Sequence, residues 1–98
     1  MIQYELLRGG VLLGIVTFLP EESDFPWKCG SLEASEHFSG IRSLFGQEAE
    51  LIEQEDFDTL ETVLQEIMRP GVEMKALENG KVEQLDGIII EGNRVRWR

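Results

Sequence analysis

Positive charge is scarce in this 98-residue chain, which carries nine Lys and Arg against 19 Asp and Glu, a net charge of −10. Binding to nucleic acid or to an anionic membrane surface depends on basic residues that neutralise phosphate, so neither is expected as a partner. Cysteine and histidine occur once each, as Cys29 and His37. A single thiol forms no disulfide within the chain, and such cysteine usage fits a reducing cytoplasm. One His and one Cys cannot supply a zinc quartet without two carboxylates from elsewhere, so no metal site is expected. Long apolar runs are missing too. The longest uncharged stretch, Gly9 to Pro20, has 12 residues, whereas a membrane-spanning helix needs roughly 20. The opening Met1-Ile2-Gln3-Tyr4-Glu5 has no cationic n-region and no Ala-x-Ala site follows it, so no signal peptide is expected.

Catalytic motifs are equally sparse. Gly9, Gly10 and Gly14 fall within a hairpin pattern rather than between a strand and a helix, so they do not form a phosphate loop. There is no Gly-x-Ser-x-Gly elbow. The run Glu53-Gln54-Glu55-Asp56-Phe57-Asp58 offers oxygen ligands but lacks the glycine and the distal Glu of a calcium-binding loop. No catalytic residue and no cofactor can be assigned.

What is present reads as one domain over 1–98. Ile2 to Leu6 alternates apolar and polar residues, and Gly9-Gly10 is a two-residue hairpin turn. That turn pairs Arg8 with Val11, Leu6 with Leu13, Tyr4 with Ile15 and Ile2 with Thr17. Ile2, Tyr4, Leu6, Leu13 and Ile15 then share the core face. Leu7, Leu12 and Val16 lie on the other, apolar enough to need cover by a helix or another subunit. Residues 25–33 read as a third, irregular strand, interrupted by Pro26. Ser35 can cap a helix whose stripe is Phe38, Ile41, Leu44, Phe45, Leu51 and Ile52, with a break expected near Gly46. A second helix follows. Asp58-Thr59-Leu60-Glu61 has capping-box spacing, with Asp56 as an alternative cap, and Phe57, Leu60, Val63, Leu64, Ile67 and Met68 form its buried face. Arg69-Pro70-Gly71 ends it.

The last third reads as a meander. Val72 to Leu77 alternates, Asn79-Gly80 turns, a strand restarts at Lys81, and a bulge or turn is expected at Asp86-Gly87. A hairpin turning at Gly92-Asn93 pairs Glu91 with Arg94, Ile90 with Val95, Ile89 with Arg96 and Ile88 with Trp97. The fold expected is therefore α+β, an antiparallel sheet of about five or six strands packed on two helices in the order β-β-β-α-α-β-β-β.

Four groups of residues stand out as candidates. Between Ser43 and Met68 lie eight acids and no base, Glu53, Asp56 and Glu61 among them; such a run is a solvated helix surface or a docking surface for a basic partner. Arg94 and Arg96, with Arg98, form a basic ladder on the outer face of the last hairpin. Asp24-Phe25-Pro26-Trp27 sets two large aromatics around a proline, which either plug the end of the core or form a recognition edge. Cys29 and His37 complete the set as a low-specificity pair.

Tyr4-Glu5-Leu6-Leu7-Arg8 with Gly10 and Gly14, then Asp24-Phe25-Pro26-Trp27, then a closing hairpin that ends in Trp97, is similar to a group of small bacterial proteins of unknown function. The resemblance implies a bacterial, cytoplasmic, stand-alone domain and implies no activity. The function expected is protein interaction or regulation, through a partner of basic character or through self-association as a homo-oligomer. The alternative is a small-molecule site, enzymatic in the limit, between the sheet and the helices near Trp27, Cys29 and His37.

Overall fold

The computed structural model describes all 98 residues, as seven antiparallel strands, two α-helices and two short 3-10 turns. The strands are β1 (Gln3–Arg8), β2 (Val11–Phe18), β3 (Lys28–Ala34), β4 (Val72–Ala76), β5 (Val82–Gln84), β6 (Ile88–Glu91) and β7 (Arg94–Trp97). The helices are α1 (Arg42–Gln54) and α2 (Phe57–Met68), and 3-10 turns span Pro20–Glu22 and Glu36–Gly40. The α+β class, the antiparallel sheet and the two helices are as expected. The strand count is seven rather than five or six, because the meander supplies four strands and not three.

Sheet order is β5-β4-β1-β2-β3-β7-β6. The two edge strands, β5 and β6, are joined by only Leu85, Asp86 and Gly87, which reach at most about 14 Å from Gln84 to Ile88. A flat sheet of seven strands would hold its edges about 29 Å apart, so this one must curl. Side chains confirm the curl. Lys28 of β3 and Glu83 of β5 make an ion pair at 3.4 Å, although four strand spacings of about 19 Å would separate them in a flat sheet. Inside the curl, the Trp97 ring meets Tyr4 and Phe18 edge-on, at centroid distances of 5.9 and 6.0 Å. Gly30 makes room for it: a Cβ there would lie 3.1 Å from the Trp97 ring and 2.7 Å from a Val16 methyl.

The helices pack on the concave side, where Phe45, Val63 and Ile67 join Leu6, Val16, Met74, Ile88 and Val95 in one core. Arg8 ties the two layers together by donating to the carbonyls of Ile67 and Glu66, both at 2.9 Å. Those are two of the orphan acceptors at the end of α2.

The final hairpin has the four pairs expected of it, and Ile88, Ile90, Val95 and Trp97 are all buried. The first hairpin does not follow its expected register. A bulge between Leu6 and Leu7 pairs Leu7 with Leu12 but Leu6 with Gly14, leaving Leu13 as the extra residue. Beyond the bulge every side chain changes face. Val16 becomes fully buried, Ile15 turns half outward and Ile2 is exposed. The gain is that Leu13 and Val16 both enter the core.

The third strand is shorter than expected. Residues 24–27 form a closed turn, and regular pairing starts only at Lys28. Ser35 caps a 3-10 turn rather than the helix, accepting from the His37 amide at 3.2 Å. The break falls at Gly40 and Ile41, and α1 runs unbroken through Gly46. Asp56, not the Asp58 box, caps α2 by accepting from the Thr59 amide at 3.3 Å. Phe57, expected in the buried face, is 63% exposed because it lies in the first turn beyond the core. No helix is long and apolar enough to cross a membrane.

Candidate functional site

Phe25 is the most exposed large hydrophobic residue after Met1, at 96%. It sits at the apex of a turn closed by two backbone hydrogen bonds: Asp24 N–H donates to the Trp27 carbonyl at 3.0 Å, and Trp27 N–H donates to the Asp24 carbonyl at 2.8 Å. The Phe25–Pro26 peptide is cis. The turn splits the two aromatics. Trp27 folds inward, half-buried, and its ring lies under the Arg98 guanidinium at 5.0 Å. Phe25 is left in solvent. A shared role as a core plug is thereby excluded for this pair, and Phe25, Pro26, Lys28, Glu83, Asp86 and Arg98 line an open depression of about 530 Å³.

Next to this turn lies Cys29. It points away from the core, since Leu32 on the same strand points in, yet it is only 5% exposed. The loop before it supplies the cover: the Cys29 amide donates to Ser23 Oγ at 2.9 Å, and that hydroxyl donates to the Leu19 carbonyl at 3.0 Å. Arg94 closes the other side, donating to Cys29 Sγ at 3.8 Å while ion-paired to Glu22. The Glu22 carboxylate, by hydrogen bond and charge, raises the Arg94 pKa still further above its ordinary value. Two clefts of about 280 and 180 Å³ share Glu22, Cys29 and Arg96. The fold thus gathers Asp24, Trp27, Cys29, Arg94 and Arg96. It also alters the expected ladder, since Arg94 is paired with an acid and Arg98 with an aromatic.

His37 is not part of this group. Five residue steps along β3, about 17 Å of strand, separate Cys29 from Ala34 before the chain reaches the 3-10 turn that carries His37. His37 is exposed there, with Glu36 Oε1 3.9 Å from its Nε2. No three His, Cys, Asp or Glu side chains converge as a metal site would require.

The acidic stretch forms another region. Glu53 on α1, Asp56 at the cap of α2 and Glu61 on α2 are exposed. Glu53 also lines a groove of about 290 Å³ between α1 and the β6–β7 turn, together with Arg42, Glu50 and Glu91 over a floor of Phe38, Phe45 and Ile90. Glu48 departs from the solvated-surface reading. It is 0% exposed, neither carboxyl oxygen has a hydrogen-bond partner, and burial pushes its pKa up from 4.5 to about 8. Its signal was present in the sequence, because position 48 falls on the stripe of Ile41, Leu44, Phe45, Leu51 and Ile52 at helical spacing. The groove left a fainter trace in Gly46 and Gly92, which meet only across the fold.

No protein-family model, no curated protein and no solved structure matches this chain.

Proposed function

We propose that this chain is a protein-interaction domain that engages a partner protein, or a second copy, through the Phe25 turn. One observation carries the reading: an aromatic ring 96% exposed at the tip of a turn held by two backbone hydrogen bonds. Burying such a ring at an interface recovers a large apolar area at little entropic cost, because the turn is already ordered. Left in water, the ring contributes nothing to the fold. The acidic surface supports the same reading, since a net charge of −10 steers basic partners toward the molecule.

The test separates folding from binding. Phe25→Ala leaves the unfolding free energy within the range of an ordinary surface change, about 0.5 kcal/mol. Native mass spectrometry of wild type recovered gently from its host then gives a complex of defined stoichiometry that Phe25→Ala does not give. If Phe25→Ala retains the same complex, the reading is wrong.

A second reading, a small-molecule site, draws on the two clefts that meet at Cys29 and Arg96. It predicts a bound compound of small mass that Arg96→Ala releases and Phe25→Ala does not.

A further inference from the structure

The two edges of the curled sheet are not alike. β6 is closed, because α1 packs along it and Ile88 and Ile90 are buried. β5 is open, with Val82, Glu83 and Gln84 all exposed and no strand on its outer side. Ala76 N–H donates to the Lys81 carbonyl and Leu85 N–H to the Val72 carbonyl, each at 2.9 Å. Lys81, Glu83 and Leu85 therefore face β4, and by alternation Val82 and Gln84 turn their N–H and C=O groups outward. Such a row of unpaired groups is a template for another strand.

Side-chain charge decides which strand can use it. Charges on a short edge repel most strands. Lys81 and Glu83 are two apart, so they share one face of β5 while differing in sign. An antiparallel strand must set outward residues opposite outward residues. For a second β5, Val82 opposite Gly80 sets Lys81 against Lys81, and Val82 opposite Gln84 sets Glu83 against Glu83. Val82 opposite Val82 instead sets Lys81 against Glu83 on both sides of the axis. A slip further in either direction runs Val82 past the end of the partner strand. Opposite charges directly across a pair stabilise it and like charges destabilise it, so one register survives.

We propose that the chain forms a two-fold dimer by antiparallel pairing of β5 with β5 of a second copy, Val82 against Val82. That register joins two Val82 side chains, each 51% exposed in the single chain. It also adds a second cation to Glu83, which already holds Lys28 at 3.4 Å. The charged residues lining the hollows beside β5 are Lys28, Lys81 and Arg98 against Glu83 and Asp86, none of them from the acid-rich stretch 43–68. Two chains of net charge −10 thus meet where their charge is nearly balanced. Phe25 and Glu83 border the same depression, so a copy seated on β5 lies beside the Phe25 ring and takes it out of water. This inference rests on the protein-interaction reading and names both the partner and its register.

The test is sedimentation velocity of the purified whole chain over a concentration series. Wild type is expected to pass from monomer to dimer. Val82→Pro removes an N–H that the β4–β5 ladder does not use, so it keeps the fold and abolishes the dimer. Lys81→Glu and Glu83→Lys each set like charges opposite one another and weaken self-association roughly tenfold. Mixed in equal amounts, these two variants pair with each other and restore the dimer. Both positions are exposed, and the ion pair to Lys28 that Glu83→Lys gives up is a surface one of little weight. Should Val82→Pro unfold, the charge variants carry the test. A wild type that is monomeric at every concentration, a dimer that survives Val82→Pro, or a mixture no stronger than either variant alone overturns the proposal. A monomeric wild type whose complex with another protein is lost in Phe25→Ala sinks only the β5 dimer. A dimer lost in Val82→Pro but unchanged in Phe25→Ala sinks only the Phe25 reading.

Discussion

The Arg98 guanidinium covers the Trp27 ring at 5.0 Å, binding the last residue of the chain to the loop that presents Phe25. The backbone reinforces the link. Arg98 N–H donates to the Gly87 carbonyl at 3.1 Å, and its own carbonyl accepts from Asp86 and Gly87 at 2.7 and 3.2 Å. Trp27 also lies close to Gly87, where a Cβ would come within 3.3 Å of the ring. An exposed cation–π contact is worth about 0.5–1 kcal/mol. Arg98→Ala should cost that much in denaturant unfolding and speed amide exchange at Trp27. Unchanged exchange there would show that the turn holds itself.

Glu48 makes stability fall as pH rises. In the fold its carboxyl stays protonated up to about pH 8, whereas in the unfolded chain it ionises near 4.5. Below 4.5 both states are neutral and the group exerts no pH effect. Between 4.5 and 8 the unfolded state gains charge that the folded state cannot solvate, so the penalty grows across that window and levels off above it. Glu48→Met keeps helix propensity and removes the acid. It should stabilise by about 2–4 kcal/mol at pH 8 and by much less at pH 4.5. Equal effects at the two pH values would refute the buried-acid account.

Arg8 serves the end of α2, and its loss leaves the Ile67 and Glu66 carbonyls without donors. Arg8→Met retains much of the apolar stem and should cost about 1–2 kcal/mol. The early signature is faster exchange confined to the last turn of α2. A loss spread evenly over the molecule would instead assign Arg8 to the core.

Cys29 should react slowly with Ellman's reagent in the native state and quickly once unfolded, being 5% exposed beneath Arg94 and Ser23. Arg94→Ala removes one side of that cover and should raise the rate roughly tenfold by making local opening easier. Rapid labelling of the native wild type would mean that the loop over Cys29 is not closed in solution.

The sequence discloses most where a turn fixes the register. Gly92-Asn93 leaves a single way to pair β6 with β7, and all four pairs follow. The Gly9-Gly10 turn fixes only the start of its hairpin. Leu6, Leu13 and Ile15 on one face compete with Leu7, Leu12 and Val16 on the other, and a bulge takes Leu13 from the first and Val16 from the second. Alternation cannot foresee a solution that draws on both faces. Gly40 and Gly46 pose a similar ambiguity: each is a possible helix break, and the one expected near Gly46 falls at Gly40 instead. At the candidate site, Asp24-Phe25-Pro26-Trp27 is conspicuous in one dimension, but which aromatic faces water depends on the closure of Asp24 onto Trp27. Glu48 was hidden by its company, since seven other acids in the same stretch made an eighth look ordinary.

The place of β1 in the sheet bears on how the chain assembles during synthesis. β2 closes on it almost at once, but its other neighbour, β4, is made only after both helices. Throughout that interval a growing chain exposes the free edge of β1 to any strand that could add to it, including one from a neighbouring nascent chain. The residues translated in that interval include Glu48, Glu50, Glu53, Glu55, Asp56, Asp58, Glu61 and Glu66. Two such chains approaching edge to edge bring these carboxylates together, so the acid-rich helices act as gatekeepers for the unfinished sheet.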